Sequence, residues 1–380
     1  MKVAGVFAGI GGFERGLELA GHEAELLCDI DPMARRVLKA RFQCEIVSDV
    51  RDISIGSGID LVTAGFPCQD LSQVGTGNGI SGKKSGAIRH LFSILKRSPV
   101  PWVLFENVPF MLRLNRGHAM RYLVRKLESL GYDWAYRTID SHAFGLPQRR
   151  KRIFILASLV SDPRPVLLSS DRVPPGNSER MQLNGEACGF YWTEGNRGIG
   201  WAVDAVPPLK GGSSFGIVSA PAVILPSGNV VLPDIRDGER LQGFRNNWTK
   251  PASEQGGRVG DRWRLVGNAV NVRVSKWLGN RLTEACTEYD DSEDSRLYLS
   301  RPWPPAAWAV DGKRGISQVS DWPVRWSSRP LAEFLKYTES PLSYRATTGF
   351  KNRLKNSGLR VDKRFISGLE RHARKVKRES

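Results

Sequence analysis

Short apolar runs alternate with amphipathic stretches over residues 1–157. Val3–Phe7, Glu25–Asp29, Leu61–Ala64, Trp102–Phe105, Trp134–Ile139 and Ile153–Ala157 predict strands. Phe13–Ala20, Met33–Phe42, Ala87–Arg97 and Ala119–Leu130 repeat apolar residues at helical spacing. Strand–helix alternation predicts an α/β fold with a mostly parallel, doubly wound sheet. The last pair, Tyr136–Asp140 and Arg152–Ala157, reads as a hairpin at one edge of it.

The pattern then changes. Residues 158–235 are rich in Pro, Gly, Ser and Asn and predict irregular structure, with short strands such as Ala222–Leu225 and Val230–Leu232. Helical spacing returns in Ile235–Phe244 and Ala269–Ala285. An acidic break and the proline-rich Arg301-Pro-Trp-Pro-Pro mark 291–305 as a linker. Residues 306–380 read as a basic C-terminal extension, with 12 Lys/Arg against 3 Asp/Glu from Pro341 to Ser380. The core domain is thus expected from 1–157 plus 236–290, interrupted by 158–235.

Charge adds a partner to this picture. The chain carries 56 Lys+Arg against 39 Asp+Glu, a net +17, which points to a polyanion such as nucleic acid. No apolar run approaches a membrane span. The N-terminus reads as a first strand rather than a signal peptide, so a cytoplasmic protein is expected. Five scattered cysteines (Cys28, Cys44, Cys68, Cys188, Cys286) form neither a disulfide framework nor a zinc pattern, and the histidines do not cluster. No metal is expected.

Two loops carry candidate chemistry. Cys68 follows the apolar Leu61–Ala64 and the strand-ending Gly-Phe-Pro. That places a thiol at the carboxyl edge of the sheet, where open α/β folds bind ligands. A lone cysteine is ordinarily a small buried side chain; this context favours a nucleophile. The Phe7-Ala-Gly-Ile-Gly-Gly-Phe turn lets backbone approach a ligand at a helix N-terminus, without the dinucleotide spacing. Asp29 ends the second strand, where a carboxylate takes ribose hydroxyls, and Asp49 ends another. A nucleoside without a pyrophosphate fits such a turn.

Three further segments complete an ordered set: Val-Leu-Phe-Glu-Asn-Val-Pro at 103–109, Phe-Gly-Leu-Pro-Gln-Arg-Arg-Lys-Arg-Ile-Phe-Ile at 144–155, and Arg-Asp-Gly-Glu-Arg-Leu-Gln-Gly-Phe at 236–244 followed by Gly267-Asn-Ala-Val. With Phe7–Gly12 and Gly65–Ser72 they resemble the DNA (cytosine-5) methyltransferases of restriction–modification type, over roughly residues 1–158 and 230–285. Two positions depart from that pattern: Arg245 stands where proline is usual after Gln-Gly-Phe, and Arg273 where Val-Pro-Val is usual.

The resemblance implies a Rossmann-like sheet binding S-adenosylmethionine and a small target-recognition region at 158–235. Phe7, Gly9, Ile10 and Gly12 would line the cofactor, Asp29 would take the ribose, Ile30 would pack on adenine and Asp49 would meet its amino group. Pro67 and Leu91 would lie beside it, and Asn268 and Val270 would close the pocket. Cys68 would add to cytosine C6, making C5 nucleophilic. Glu106 would hold N3 and the exocyclic amine. Arg150 and Arg152, two apart on a strand and so on one face, would bind O2 and the thiol loop. Gln148 and Asn107 read as structural.

Cytosine C6 is unreachable inside a duplex, so the base must flip out. The glycine-rich segment 73–86 reads as a basic lid, with Gln73 or Val74 as the wedge and Lys83 and Lys84 on phosphate. Arg240 is a further DNA-contact candidate, and Arg180, Asn184, Arg197, Lys210 and Ser213 are residue types that read bases or phosphates. The implied partners are double-stranded DNA and a restriction endonuclease acting on the same site, and a monomer is expected. An RNA cytosine C5 methyltransferase and a non-catalytic DNA-binding regulator are the alternatives.

Overall fold

Lys2–Val6 buries four of its five residues, and Leu61–Ala64 buries all four. Strands covered on both faces belong inside a parallel sheet. The computed structural model describes residues 1–66, 86–175, 185–195, 200–213, 216–254, 256–284, 288–299, 302–357, 359 and 361–379. It divides into two units, whose elements are labelled below in chain order.

The first unit comprises residues 1–143, 151–174 and 270–325. Its strands are β1 (Lys2–Val6), β2 (Glu23–Cys28), β3 (Glu45–Val47), β4 (Leu61–Ala64), β5 (Trp102–Asn107), β6 (Asp133–Asp140) and β7 (Lys151–Ser158), joined by β12 (Ser295–Arg296), β13 (Ala306–Val310) and β14 (Lys313–Ile316). They form one ten-stranded sheet in the order β12-β14-β13-β6-β7-β5-β4-β1-β2-β3. β3, β2, β1, β4 and β5 run parallel, and the remaining pairs are antiparallel. Strand order reverses between β1 and β4, the switch point where the carboxyl ends open a crevice. The longer helices are α1 (Gly12–Glu18), α2 (Pro32–Arg41), α3 (Ala87–Arg97), α4 (His118–Ser129) and α7 (Val272–Thr283), beside the one-turn helix Arg164–Leu167.

The expected hairpin of β6 and β7 forms, but in the interior of the sheet. β7 pairs with β5, and β6 pairs with β13. The expected linker and extension start inside the same sheet. Trp303 is buried and packs on Trp134 and Tyr136, and its indole N–H donates to the Gly117 carbonyl at 3.0 Å. Trp303 thus covers apolar side chains of β6.

The second unit comprises residues 144–150, 175–269 and 326–380. Its sheet orders β15 (Ser340–Pro341), β11 (Val230–Leu232), β10 (Ala222–Ile224), β8 (Cys188–Phe190) and β9 (Trp201–Val203), all antiparallel. Helices α5 (Ile235–Leu241), α6 (Val259–Asn268), α8 (Tyr344–Asn356) and α9 (Lys363–Glu379) complete it. The C-terminal segment is therefore core. Phe350 and Phe365 are fully buried against Phe190, with ring centroids at 4.5 and 5.2 Å. The buried His372 accepts from Val230 N–H at Nδ1 (3.2 Å), and its Nε2 lies 2.8 Å from the Leu342 carbonyl. The Nε2–H tautomer satisfies both contacts. Strands of two or three residues cannot hold a sheet alone, so α8 and α9 supply the apolar cover.

Phe365→Ala should cost the second unit about 3–5 kcal/mol, the penalty of a cavity left by a buried aromatic. Urea denaturation followed through the tryptophans of that unit measures it. A loss under about 1 kcal/mol would mean that α9 does not hold the sheet.

Candidate active site

The carboxyl ends of the parallel strands bring the first unit's candidates together. β1 runs into the Phe7–Gly12 turn, β2 into Asp29 and Ile30, β4 into Gly65 and Phe66, and β5 ends on Glu106 and Asn107. Phe7 holds a left-handed backbone, φ 58°, a costly conformation for a bulky residue and one concentrated at functional sites.

Two glycines of the turn serve different ends. A Cβ on Gly9 would meet nothing within 4 Å, so that side of the loop is open. A Cβ on Gly12 would fall 2.3 Å from the Val270 carbonyl oxygen, so backbone packs on backbone there. The returning segment is held by α7, whose N-cap Asn271 accepts from the Arg273 and Val274 amides. Ser275 Oγ donates to the Phe13 carbonyl at 2.6 Å.

Asp29 is fixed by two amides, Gly9 N–H at 2.7 Å and Asp31 N–H at 2.8 Å, one on each carboxylate oxygen. Burial pushes its carboxyl up, opposed by those two bonds. Beside it Ile30 is 76% exposed, an apolar side chain left open at the strand edge. Asp31 caps α2 through Met33 N–H, and Arg35 donates to the carbonyls of Asp29 and Ile30. The Asp-Pro start of α2 signals that cap in the sequence; the roles of Asp31 and Arg35 in holding Asp29 do not show there. The Asp49 carboxylate is engaged by Arg51 through its main-chain N–H at 2.9 Å and its guanidinium, which draws it down to about 2.

Glu106 lies at the same edge. Its carboxylate Oε1 is 3.0 Å from Arg152 Nε, both side chains largely buried. Around Gly65, Glu106 Oε2, Val270 Cγ2 and the Phe7 carbonyl all lie within 4 Å of where a Cβ would stand. Asn107 donates through Nδ2 to the Phe66 carbonyl at 2.9 Å and accepts from Val108 N–H. It ties the end of β5 to the last described residue before Pro67. Cys68, Pro67, Gln73, Val74, Lys83 and Lys84 lie outside the described residues, as do Arg180, Asn184 and Arg197. The described thiols are poor nucleophiles: burial pushes Cys28 and Cys188 up to about 12 and Cys44 up to about 11.

Several expectations need correction. Arg150 precedes β7 and does not share a strand face with Arg152. It is 1% exposed in the second unit and donates to the carbonyls of Leu209, Gly267 and Ala269 at 2.8–3.2 Å. Gln148 joins that node: it donates to the Leu241 carbonyl and accepts from Leu209 N–H. Ile10 and Leu91 are wholly buried. Asn268 lies in the second unit, its amide filling the space beside Gly211. Arg240 is taken up by Asp237, the Phe334 carbonyl and the Phe334 ring. Lys210 pairs with Glu194 and sits over Tyr191. Ser213 Oγ accepts from Ile217 N–H.

One acid under the glycine turn was not foreseen. Glu14, in the first turn of α1, is 1% exposed and accepts from Thr63 Oγ1 at 2.7 Å. A Cβ on Gly5 would collide with it, so Gly5 is the sequence signal that makes room. Desolvation pushes its carboxyl up from an ordinary 4.5 to about 7, with Thr63 opposing. The folded chain thus favours the protonated acid: that contribution is whole below 4.5 and is lost as pH rises through about 7. Glu14→Gln should gain on wild type by about 2 kcal/mol between pH 5.5 and 8.5. Paired denaturation curves at those two pH values test it, and a constant difference refutes it.

Residues 1–185 match the C-5 cytosine-specific DNA methylase family. The chain is 46% identical to the type II methyltransferase M2.BsuMI of Bacillus subtilis (strain 168) over 98% of each chain. It is 27% identical to the type II methyltransferase M.DsaV of Dactylococcopsis salina, covering 74% of this chain and 86% of that one. Among solved structures, the S. pombe Dnmt2 methyltransferase matches with a TM-score of 0.53 at 18% identity, over 73% of this chain and 97% of that one. The Entamoeba histolytica methyltransferase EhMeth matches at 0.54 and 17%, over 75% and 99%. These two matches speak to the fold alone. With the catalytic-edge geometry above and a relative of that identity along its length, the chain belongs to the C-5 cytosine-specific DNA methylase family.

Proposed function

We propose that this chain methylates C5 of a cytosine flipped out of a specific duplex sequence, taking the methyl group from S-adenosylmethionine and using Cys68 as covalent catalyst. The observation that supports it most is the convergence of Gly65, Phe7, Val270 and the Arg152-held carboxylate of Glu106 at one strand edge.

The residues present fit the cofactor. The open side of Gly9 admits a ligand against backbone, Asp29 keeps lone pairs free for ribose hydroxyls, and exposed Ile30 offers a face to adenine. When bound, S-adenosylmethionine supplies an electrophilic methyl group. The Cys68 thiolate adds to C6, and the electron pair of the C5–C6 double bond moves to C5, where the methyl is received. Loss of the C5 proton to water then expels the thiolate and restores the ring. Glu106 would hold N3 and the exocyclic amine, with the Arg152 pair at 3.0 Å orienting its carboxylate. Asn107 is a positioning residue for the chain entering Pro67-Cys68. A restriction endonuclease of the same specificity is the implied partner, in keeping with the type II naming of the Bacillus subtilis relative.

Wild type should form a denaturation-resistant adduct with 5-fluorocytosine DNA carrying its site in the presence of cofactor, and Cys68→Ala should form none. An adduct that survives in Cys68→Ala would sink the covalent role. Asp29→Asn should weaken S-adenosylmethionine binding by about tenfold or more, the worth of a charge-assisted hydrogen bond, as read by equilibrium dialysis. Asn107→Ala should lower kcat by about 10²-fold, the cost of a misplaced reacting group. Its KM for S-adenosylmethionine should stay within about twofold. Equal changes in both constants would assign Asn107 to general stability instead.

A further inference from the structure

We infer that the solvent face of α9 is a phosphate-backbone clamp for duplex DNA, built into the second unit; this rests on the DNA reading above. The helix presents two faces along its length. Phe365, Leu369, His372 and Ala373 are buried, and Phe365 meets Phe190 and Phe350. On the opposite side, Arg364, Arg371, Arg374, Lys375 and Arg378 are all exposed. At about 100° per residue these five fall within about a third of the helix circumference. From Arg364 to Arg378 they span about 21 Å at 1.5 Å rise per residue.

This arrangement costs stability as it stands. Like charges three and four residues apart repel. The first turn holds Lys363 and Arg364, which oppose the helix dipole, and the one acid at that end is Asp362 just before the helix, whose carboxylate accepts from Arg364 N–H at 2.7 Å. The acid within the helix body, Glu370, is turned aside to Lys351 and Lys355 of α8, at 3.4 and 3.9 Å. It does not neutralise the stripe. A polyanion with regularly spaced charge relieves the repulsion and releases its own counterions. A lipid surface fits less well: an interfacial helix needs its apolar face free, and that of α9 is already covered by the sheet. Because α9 is also core, its charge must be removed without removing the helix.

The test compares two triple variants of the full chain, each losing three cations. One is Arg371→Gln/Arg374→Gln/Arg378→Gln on α9. The control is Lys96→Gln/Arg125→Gln/Lys126→Gln on exposed positions of α3 and α4. Affinity for a 40-base-pair duplex of random sequence is measured by fluorescence anisotropy from 50 to 300 mM KCl. Circular dichroism and S-adenosylmethionine binding report folding. The α9 variant should reduce the slope of log affinity against log salt by about 2–3, at about 0.9 per phosphate contact. The control should change it by less than about 1. A folded α9 variant whose slope matches wild type or the control overturns the clamp while leaving methylation intact. A wild type with no duplex affinity overturns both readings. Binding to phosphatidylserine vesicles that depends on α9, without such dependence for the duplex, would reassign the face and overturn the proposal.

Discussion

Backbone rests directly on backbone where the Val270 carbonyl meets Gly12, and the catalytic edge depends on that contact. No side chain fits between them. The N-terminal turn and the segment leading into α7 therefore fix each other's backbone. Around this point the chain closes a long loop. Gly16 accommodates Ser275, and His22 contacts the Gly279 carbonyl at 3.0 Å. The entropy of closing so long a loop grows only slowly with its length. A large intervening unit is thus inserted at small thermodynamic expense.

The strand order turns this closure into a site. Because order reverses between β1 and β4, their carboxyl ends are not covered by the connections that follow. Four separate strands then deliver one group each: the open glycine turn, Asp29, Gly65 and Glu106. Each is fixed by something close at hand. Two amides hold Asp29, Arg152 holds Glu106, and Asn107 holds Phe66. Such preorganisation is what positioning chemistry requires. The same logic separates Arg150 from Arg152. Alternation along a strand puts residues two apart on one face, but the strand begins at Lys151. One residue outside it, the guanidinium of Arg150 turns into a buried node of carbonyls.

What was legible in the sequence follows from which forces are local. Apolar alternation and helical spacing placed β4 and α3 at their observed ends, because burial pattern sets both. The Gly-rich turn, Asp29 and Glu106 were readable since each sits at a strand end and needs a specific residue type. Buried roles were not readable from motifs alone. Ile10 belongs to a motif segment and Leu91 to an amphipathic helix, yet both are wholly buried, and Arg240 is engaged by Asp237 and Phe334. Glu14 was hidden because helical spacing does not say that Thr63 lies opposite it on a neighbouring strand. The missed strands β8, β9, β13 and β14 are short and depend on partners far away in sequence.

The C-terminal segment shows why charge count misleads as a guide to order. With 12 Lys/Arg in its last 40 residues it reads as solvated. Yet composition sums over a helix, whereas burial acts on one face of it. Phe350, Leu354, Phe365 and Leu369 are few but fall on the sides facing the five-stranded sheet. Each fully buried apolar side chain is worth about 1.5–3 kcal/mol, whereas a like-charge pair on the surface costs only a few tenths. Burial therefore wins and the helices fold. The cations, excluded from the core, are left together on the outside. Removing the segment would take away core and charge at once, so charge alone is the variable that can separate binding from folding.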